Sequence, residues 1–131
     1  MRTASPDVVQ LLERGFDCWN RRAIEEMMDM YTPDAEVDLS KLLPDENVLR
    51  GREQISAYYD RMWETWSGFG WKPTEFVELG DGRYAAVARV AAEGRGSGTP
   101  VASELTIFYW LEDGRVARAV FEPGRSPQLQ V

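Results

Sequence analysis

Carboxylates are the side chains on which acid–base chemistry in this sequence would depend. The 131 residues contain no His and a single Cys, Cys18. These two counts exclude a Ser–His–Asp or Cys–His nucleophile, a zinc or haem site built on His or Cys, and a disulfide within the chain. We therefore expect no metal and no cofactor, and proton transfer would fall to Asp, Glu, Tyr, Lys, Arg or water.

Glu104 is the first candidate catalytic residue. It lies in the clearest strand pattern, residues 101–111, where alternation puts it on one face with Thr106 and Phe108. A carboxylate held in apolar surroundings is suited to transferring protons near neutral pH. The alternative is a solvated carboxylate near the open end of a strand, with no role beyond solubility.

Asp38 is the second candidate. It lies in a weaker strand pattern at residues 35–39 and shares a face with Glu36. Either Asp38 acts as an acid or base, or the pair is two exposed carboxylates on a short edge strand.

Three helices are predicted ahead of the sheet that would position these residues. The first begins at Pro6, which suits a first helical turn, after Ser5 as a cap. Its apolar residues recur every three to four positions. They are Val8, Leu12, Phe16 and Trp19. The second helix covers residues 24–31 and ends before Pro33, and the third covers 52–66 and ends at two glycines.

The remainder of the chain is predicted to be strands and turns. The strands cover residues 35–39, 71–79, 83–93, 101–111 and 115–122, with a loop at 40–49, a glycine-rich turn at 94–98 and a frayed tail at 123–131. Helices followed by an antiparallel meander predict an α+β fold with the helices on one face of the sheet. We expect one domain over residues 1–131, with its core at 8–122.

Composition restricts the partners and the location. The net charge is −7, and no Lys- or Arg-rich run is present, so nucleic-acid binding is not expected. No apolar stretch approaches the roughly 20 residues of a membrane span, and no signal peptide is recognised, which favours a cytoplasmic protein without membrane contact. The excess of Arg over Lys is typical of a GC-rich bacterial genome.

The long strand at 101–111 is apolar on both faces, since Leu105 and Ile107 alternate with Thr106 and Phe108. Helices can cover only one side of an antiparallel sheet in so small a domain. The other side needs a second cover, and a partner sheet would provide it. The sequence therefore predicts a homodimer through the outer face of the sheet.

Several segments in this order resemble a known superfamily. They are residues 30–38 (MYTPDAEVD), 49–59 (LRGREQISAYY) and 111–118 (LEDGRVAR) before Phe121. Together they are similar to the nuclear transport factor 2-like cone fold, in its ketosteroid isomerase and SnoaL-like polyketide cyclase branch. The resemblance implies a curved sheet wrapped by three helices, a conical pocket for a small apolar molecule, and a homodimer.

The resemblance extends to the fold and not to the isomerase chemistry. Aligned on that family, Gly15 stands where the isomerase has its Tyr, Leu39 stands at the carboxylate base beside Asp38, and Thr106 stands at the protonated acid. The same alignment places Glu104, two residues from Thr106, on the pocket face. A one-residue shift would bring Asp38 inward without restoring the other two groups.

Two other branches of the superfamily offer partial likenesses. Arg89 and Glu104 are chemically similar to the Asp–Arg–Asp cluster of the epoxide hydrolases, although that motif cannot be matched residue by residue. The dehydratases use a His–Asp pair, which a chain without His cannot form.

Aromatic side chains facing a row of alanines at 86, 88 and 92 favour an apolar cavity. Tyr58 and Tyr59 are adjacent on a helix, so we expect only one to point inward. The expected ligand-binding residues are Phe16, Trp19, Tyr59, Met62, Trp63, Ala88, Thr106, Phe108 and Phe121.

Two functions remain open at this point. One is a cofactor-free isomerase, cyclase or hydrolase acting on an apolar, ring-containing substrate, with Glu104 or Asp38 as the acid or base. The other is a dimer of the same fold that binds a ligand or supports a partner without catalysis. The orientation of Glu104 would discriminate between them.

Overall fold

The computed structural model describes residues 2–42, 47–94 and 100–129. These residues contain three α-helices, as the sequence predicted: α1 (Pro6–Arg21), α2 (Ile24–Met28) and α3 (Gly51–Thr65). Ser5 stands at the N-cap of α1, but its side chain makes no capping hydrogen bond; its carbonyl accepts from the Val9 amide instead. Arg22 ends α1 in the left-handed conformation, with φ of 57°.

In the part of the chain that the structure describes, seven strands form a single sheet. They are β1 (Arg2–Thr3), β2 (Tyr31–Asp38), β3 (Val48–Arg50), β4 (Trp66–Gly80), β5 (Arg83–Gly94), β6 (Pro100–Glu112) and β7 (Arg115–Pro123). Their order in the sheet is β1-β4-β5-β6-β7-β2-β3. The pairing is antiparallel except between β2 and β7, which run parallel. The predicted α+β class, with the helices preceding a mainly antiparallel sheet, is confirmed.

Several boundaries differ from the sequence prediction: β1 was not predicted, and β4 begins at Trp66, directly after α3, instead of at residue 71. Tyr31 begins β2 instead of ending α2, because α2 ends at Met28 and the chain turns there. Pro33 does not stop the strand, since it lies where the pairing of β2 with β7 is irregular. Residues 48–50, expected to be loop, form β3 and pair with the far end of β2. The glycine-rich turn expected at 94–98 lies, beyond Gly94, outside the described residues.

The helices cover one face of the sheet, which we call the inner face, and enclose the main core against it. On β6 the inner side chains are Leu105, Ile107, Tyr109 and Leu111. On β5 they include Ala86 and Ala88, both fully buried.

A second, smaller apolar cluster lies on the opposite, outer face. This outer cluster comprises Val77, Ala85, Val87, Phe108, Val120 and Leu129. Leu129 belongs to a short 3₁₀ turn, Pro127–Leu129, and is only 1% exposed. The chain therefore covers part of its own outer face, and the premise of an uncovered apolar face, on which the homodimer prediction depended, is only partly correct.

Thr106 holds this C-terminal segment against the sheet. Its hydroxyl donates to the Gly124 carbonyl at 2.7 Å and accepts from the Ser126 amide at 2.8 Å. Arg125 adds an ion pair with Glu75 at 2.8 Å. The expectation of a frayed tail is wrong for residues 124–129, because the buried Leu129 side chain and the hydrogen bonds of the Thr106 hydroxyl hold them against the sheet.

Candidate functional site

A cavity of about 350 Å³ lies between the inner face of the sheet and the three helices. Its size falls within the usual range for small-molecule pockets, roughly 300–1,000 Å³. From α1 it is lined by Leu12, Gly15, Phe16 and Trp19. Of the described residues that line it, none carries a charged side chain.

Aromatic rings packed edge to face build much of the wall. Trp19 is at the centre, with ring centroids 4.8 Å from Tyr59, 4.9 Å from Trp63 and 5.0 Å from Phe69. Trp71 on β4 lies 5.8 Å from Phe16. Such tilted and T-shaped pairs stabilise one another beyond the area that they bury, so the wall is preorganised.

Buried tyrosines supply the polar groups of the cavity. The hydroxyls of Tyr31 on β2 and Tyr59 on α3 lie 3.2 Å apart and form a hydrogen bond in which either can donate. Tyr109 on β6 lines the same cavity, and its hydroxyl has no hydrogen-bond partner among the described residues. Burial raises the pKa of Tyr31 and raises those of Tyr59 and Tyr109 well above the usual value. All three therefore stay neutral and act as hydrogen-bond donors or acceptors at ordinary pH.

Two polar contacts outside the wall fix its residues in place. Asn20, at the end of α1, accepts from the Trp71 amide at 2.8 Å and donates to the Trp71 carbonyl at 2.9 Å. Arg52 at the start of α3 donates from Nε to the Tyr31 carbonyl at 3.1 Å, and from Nη2 to the same oxygen. Both side chains therefore position cavity residues through the backbone.

The ligand-binding residues predicted from sequence divide into three groups, of which the third, Thr106 and Phe108, lies on the outer face of the sheet. Five line the cavity: Phe16, Trp19, Tyr59, Met62 and Phe121. Trp63 and Ala88 are buried in the main core and are not among the residues lining the cavity. Tyr58, expected to point away if Tyr59 points inward, is half-buried and also lines the cavity.

Glu104, Thr106 and Phe108 lie on the outer face, so the expectation that they face the pocket is wrong. Glu104 is exposed and lies directly opposite Arg89 across the β5–β6 pair, outside the cavity. Thr106 and Phe108 are buried beneath the C-terminal segment. The sequence prediction assigns the two faces of β6 the wrong way round, and alternation cannot reveal this because both faces of the strand are apolar.

Asp38 also faces away from the cavity. Its carboxylate accepts from the Ser40 hydroxyl at 2.6 Å and the Ser40 amide at 2.9 Å, and it lies 4.0 Å from Arg118. The hydrogen bond from the Ser40 hydroxyl, more than any other contact, holds the pKa of Asp38 below its usual value. Asp38 is therefore an ionised group that shapes the turn after β2, while its neighbour Leu39 lines the cavity.

Sequence reasoning did not select Tyr31, Tyr109, Phe69 and Trp71 as site residues. Tyr109 alternates with Phe108, so the correct face of β6 would have identified it. Tyr31 stands at the end of the predicted second helix, and its hydrogen bond with Tyr59 depends on the packing of α3 against β2, which the sequence does not show. Trp71 begins the predicted strand at 71–79, and the sequence of that strand does not show which face Trp71 lies on.

Neither a metal cluster nor a membrane helix is found in the described part of the chain. Within residues 2–42, 47–94 and 100–129, no three Cys, Asp or Glu side chains come together as metal ligands would. Over the same residues, no helix is long and apolar enough to cross a bilayer.

Comparison with known proteins gives a family match and similar solved structures. A family model described as SnoaL-like domain matches residues 12–119. No curated protein matches the chain.

Three similar structures illustrate the likeness of fold. A hypothetical protein with ketosteroid isomerase-like fold from Catenulispora acidiphila DSM 44928, in complex with trimethylamine, has 14% identity and a TM-score of 0.79 over 94% of this chain and 89% of that one. TerC co-crystallized with polyporic acid has 19% identity and a TM-score of 0.75 over 92% of each chain. SalBIII, an epoxide hydrolase/cyclase-like enzyme in pyran ring formation in polyether salinomycin, has 13% identity and a TM-score of 0.75 over 88% of each chain. Identities this low indicate a shared fold and not a shared activity.

Proposed function

Because the chain belongs to the SnoaL-like domain family, we propose that it binds a neutral, ring-containing small molecule in the inner cavity without carboxylate chemistry. The observation that carries this proposal is the composition of the wall, which combines aromatic and aliphatic side chains with neutral tyrosine hydroxyls. Flat aromatic walls favour flat ligands. The hydroxyls of Tyr109 and of the Tyr31–Tyr59 pair would orient one oxygen atom of the ligand.

The same wall argues against an anionic ligand, because the faces of aromatic rings are electrostatically negative. An ionised group buried without a partner loses its hydration and gains little in return, at a cost of several kcal/mol. Among the described lining residues, none offers a countercharge. The ligand is therefore not an anion, and a neutral molecule with an oxygen atom suits the tyrosine hydroxyls best.

Catalysis by Glu104 or Asp38 has no support in this geometry, because neither carboxylate faces the cavity. We therefore favour the non-catalytic hypothesis over the enzyme with a carboxylate acid or base. A Δ5-3-ketosteroid tests this directly, since its isomerisation needs a base. We expect no change in its absorbance on incubation with the protein, whereas enzymatic turnover would restore the catalytic hypothesis.

Two ligands of matched shape and different charge test the binding proposal. We expect 2-naphthol to bind in isothermal titration calorimetry and to raise Tm, because a ligand of the folded state stabilises it. We expect 2-naphthoate to bind roughly 100-fold more weakly or not at all, since about 3 kcal/mol of uncompensated desolvation corresponds to that ratio. Equal affinity for the two ligands would refute the neutral-ligand proposal.

A matched pair of variants locates the binding. Trp71→Phe reduces the ring area of the cavity wall, whereas Trp110→Phe makes the same change on the outer face. We expect only Trp71→Phe to weaken the binding of 2-naphthol. A loss of affinity caused by Trp110→Phe alone would place the binding site on the outer face of the sheet.

A second candidate function follows from the hydrogen-bonded pair of Tyr31 and Tyr59. Two neutral hydroxyls in an apolar site can polarise a carbonyl, ether or epoxide oxygen on which charge develops. The SalBIII likeness makes a cyclisation aided in this way worth testing, with rate loss in Tyr59→Phe at unchanged substrate affinity as the supporting result. Equal loss of affinity and rate would indicate binding alone.

The homodimer through the outer face stays a prediction. The surface left for it is less apolar than the sequence suggests, because the outer cluster is partly covered and Arg118 lies over the Trp110 ring at 4.8 Å. Analytical ultracentrifugation at micromolar concentration tests it, and a monomer there would refute it.

A further inference from the structure

The apolar stripe of α1 has a gap. Leu12, Gly15, Phe16 and Trp19 are spaced as one face of a helix, and all four line the cavity. Three of these residues fill space with large side chains, and Gly15 fills none. Gly15 is also well inside Pro6–Arg21, where glycine is the least favourable residue after proline.

Neither backbone geometry nor packing explains a glycine at this position. Its φ is not positive, unlike those of Gly51 and Gly82. Among the described residues, Met30 alone comes within 4 Å of where a Cβ on Gly15 would lie, with Cε at 3.4 Å and Sδ at 4.0 Å, which is ordinary van der Waals contact. An alanine would therefore fit and would strengthen the helix. The remaining consequence of glycine is the space that it leaves in the cavity.

We propose that Gly15 sets the size of the ring system that the cavity accepts, because its missing side chain lets the edge of a flat ligand approach the α1 backbone beside Met30. This inference rests on the proposed function and adds a size limit to it. Under this proposal, the far ring of a ligand held at its oxygen by the tyrosines occupies that space, and a single ring leaves it empty.

The volumes are large enough to discriminate. A methyl group takes about the space of a water molecule, roughly 30 Å³. An alanine at position 15 thus removes about a tenth of the 350 Å³ cavity, and a leucine removes several times more. One carbon added to a close-fitting apolar pocket changes affinity by roughly tenfold or more.

Three phenols of increasing size test the proposal: phenol, 2-naphthol and 2-phenanthrol, each with one hydroxyl. We expect Gly15→Ala to lower the affinity for 2-phenanthrol by about tenfold and to leave the affinity for phenol within about twofold of wild type. Gly15→Leu should abolish 2-phenanthrol binding and weaken 2-naphthol. Gln10→Ala, on the exposed side of α1, should leave all three affinities unchanged.

Thermal unfolding without ligand separates this role from a packing role. We expect Gly15→Ala to raise Tm by roughly 2–4 °C, because alanine is the better helix former. A fall in Tm would make the glycine a packing requirement and overturn the proposal. Equal changes for all three phenols, or none, would also overturn it. If the wild-type protein bound none of the three phenols, the proposed function would fail and this inference with it. If the wild type bound them and the Gly15 variants did not differ from it, only the inference about Gly15 would fail.

Discussion

Replacing Tyr109 by Phe should make the protein more stable at high pH while leaving it nearly unchanged at neutral pH. Tyr109 is 9% exposed, and burial raises its pKa well above the usual value, with a further rise from the nearby Tyr31. Its hydroxyl makes no hydrogen bond to a described residue. Removing that hydroxyl should therefore change the free energy of unfolding by less than about 0.5 kcal/mol near pH 8.

The size of the effect at high pH follows from proton linkage. Below the unfolded-state pKa of about 10, the folded and unfolded chains both keep the phenol proton, and the stability is fully present. Above it the unfolded chain releases the proton and the folded chain retains it. Stability then falls by about 1.4 kcal/mol per pH unit for this group until its folded-state pKa is reached. Phe escapes that loss, so the variant should gain about 1.4 kcal/mol over wild type near pH 11.

Urea unfolding followed by circular dichroism at about pH 8 and about pH 11 measures the difference. The other tyrosines and both lysines are the same in the two proteins, so their contributions largely cancel. Ile107→Val, on the same face of β6, is the control, and it should cost about 0.5–1.5 kcal/mol equally at both pH values. A Tyr109→Phe difference that stays constant with pH would refute the placement of this hydroxyl in a low-dielectric cavity.

Three further outcomes can be checked by the same unfolding assay and by calorimetry. Tyr59→Phe should cost about 1–2 kcal/mol, because Tyr31 is left buried without a partner, whereas the double variant with Tyr31→Phe should cost less than the sum of the two single changes; strict additivity would contradict the coupling. Leu129→Ala should cost about 2–3 kcal/mol, from roughly three buried carbons at about 0.8 kcal/mol each, and a cost below about 0.5 kcal/mol would mean that the 3₁₀ turn contributes little. Glu104→Gln should leave the affinity for 2-naphthol within about twofold of wild type, since Glu104 lies on the exposed outer face. A tenfold loss of affinity would show that Glu104 takes part in binding.

The sequence predicted the helices, the class of fold and the family resemblance, because those depend on local patterns. Leu12, Phe16 and Trp19 recur at helical spacing, and one face of α1 buries them as that spacing requires. The same spacing placed Phe16 and Trp19 at the cavity, where the structure has them.

The orientation of β6 could not be predicted in the same way. When a strand is polar on one side, its sequence shows which face points to the core. On β6 this signal is missing, because Thr106 and Phe108 are buried on one face and Ile107 is buried on the other. The cover on their side comes from Leu129, far along the chain and within a segment with no periodic pattern. The candidate carboxylate was consequently assigned to the wrong face, and the tyrosine on the correct face was missed.

The parallel pairing of β2 with β7 has a consequence for how the cavity comes into being. Tyr31 lies directly opposite Val116, and both line the cavity, although one precedes and the other follows most of the chain. Pairings between distant segments form late in folding, because the entropy of closing the long intervening loop must be overcome first. The cavity is thus completed only when β2 pairs with β7. Ligand binding would therefore measure the fraction of molecules in which this long-range pairing has formed.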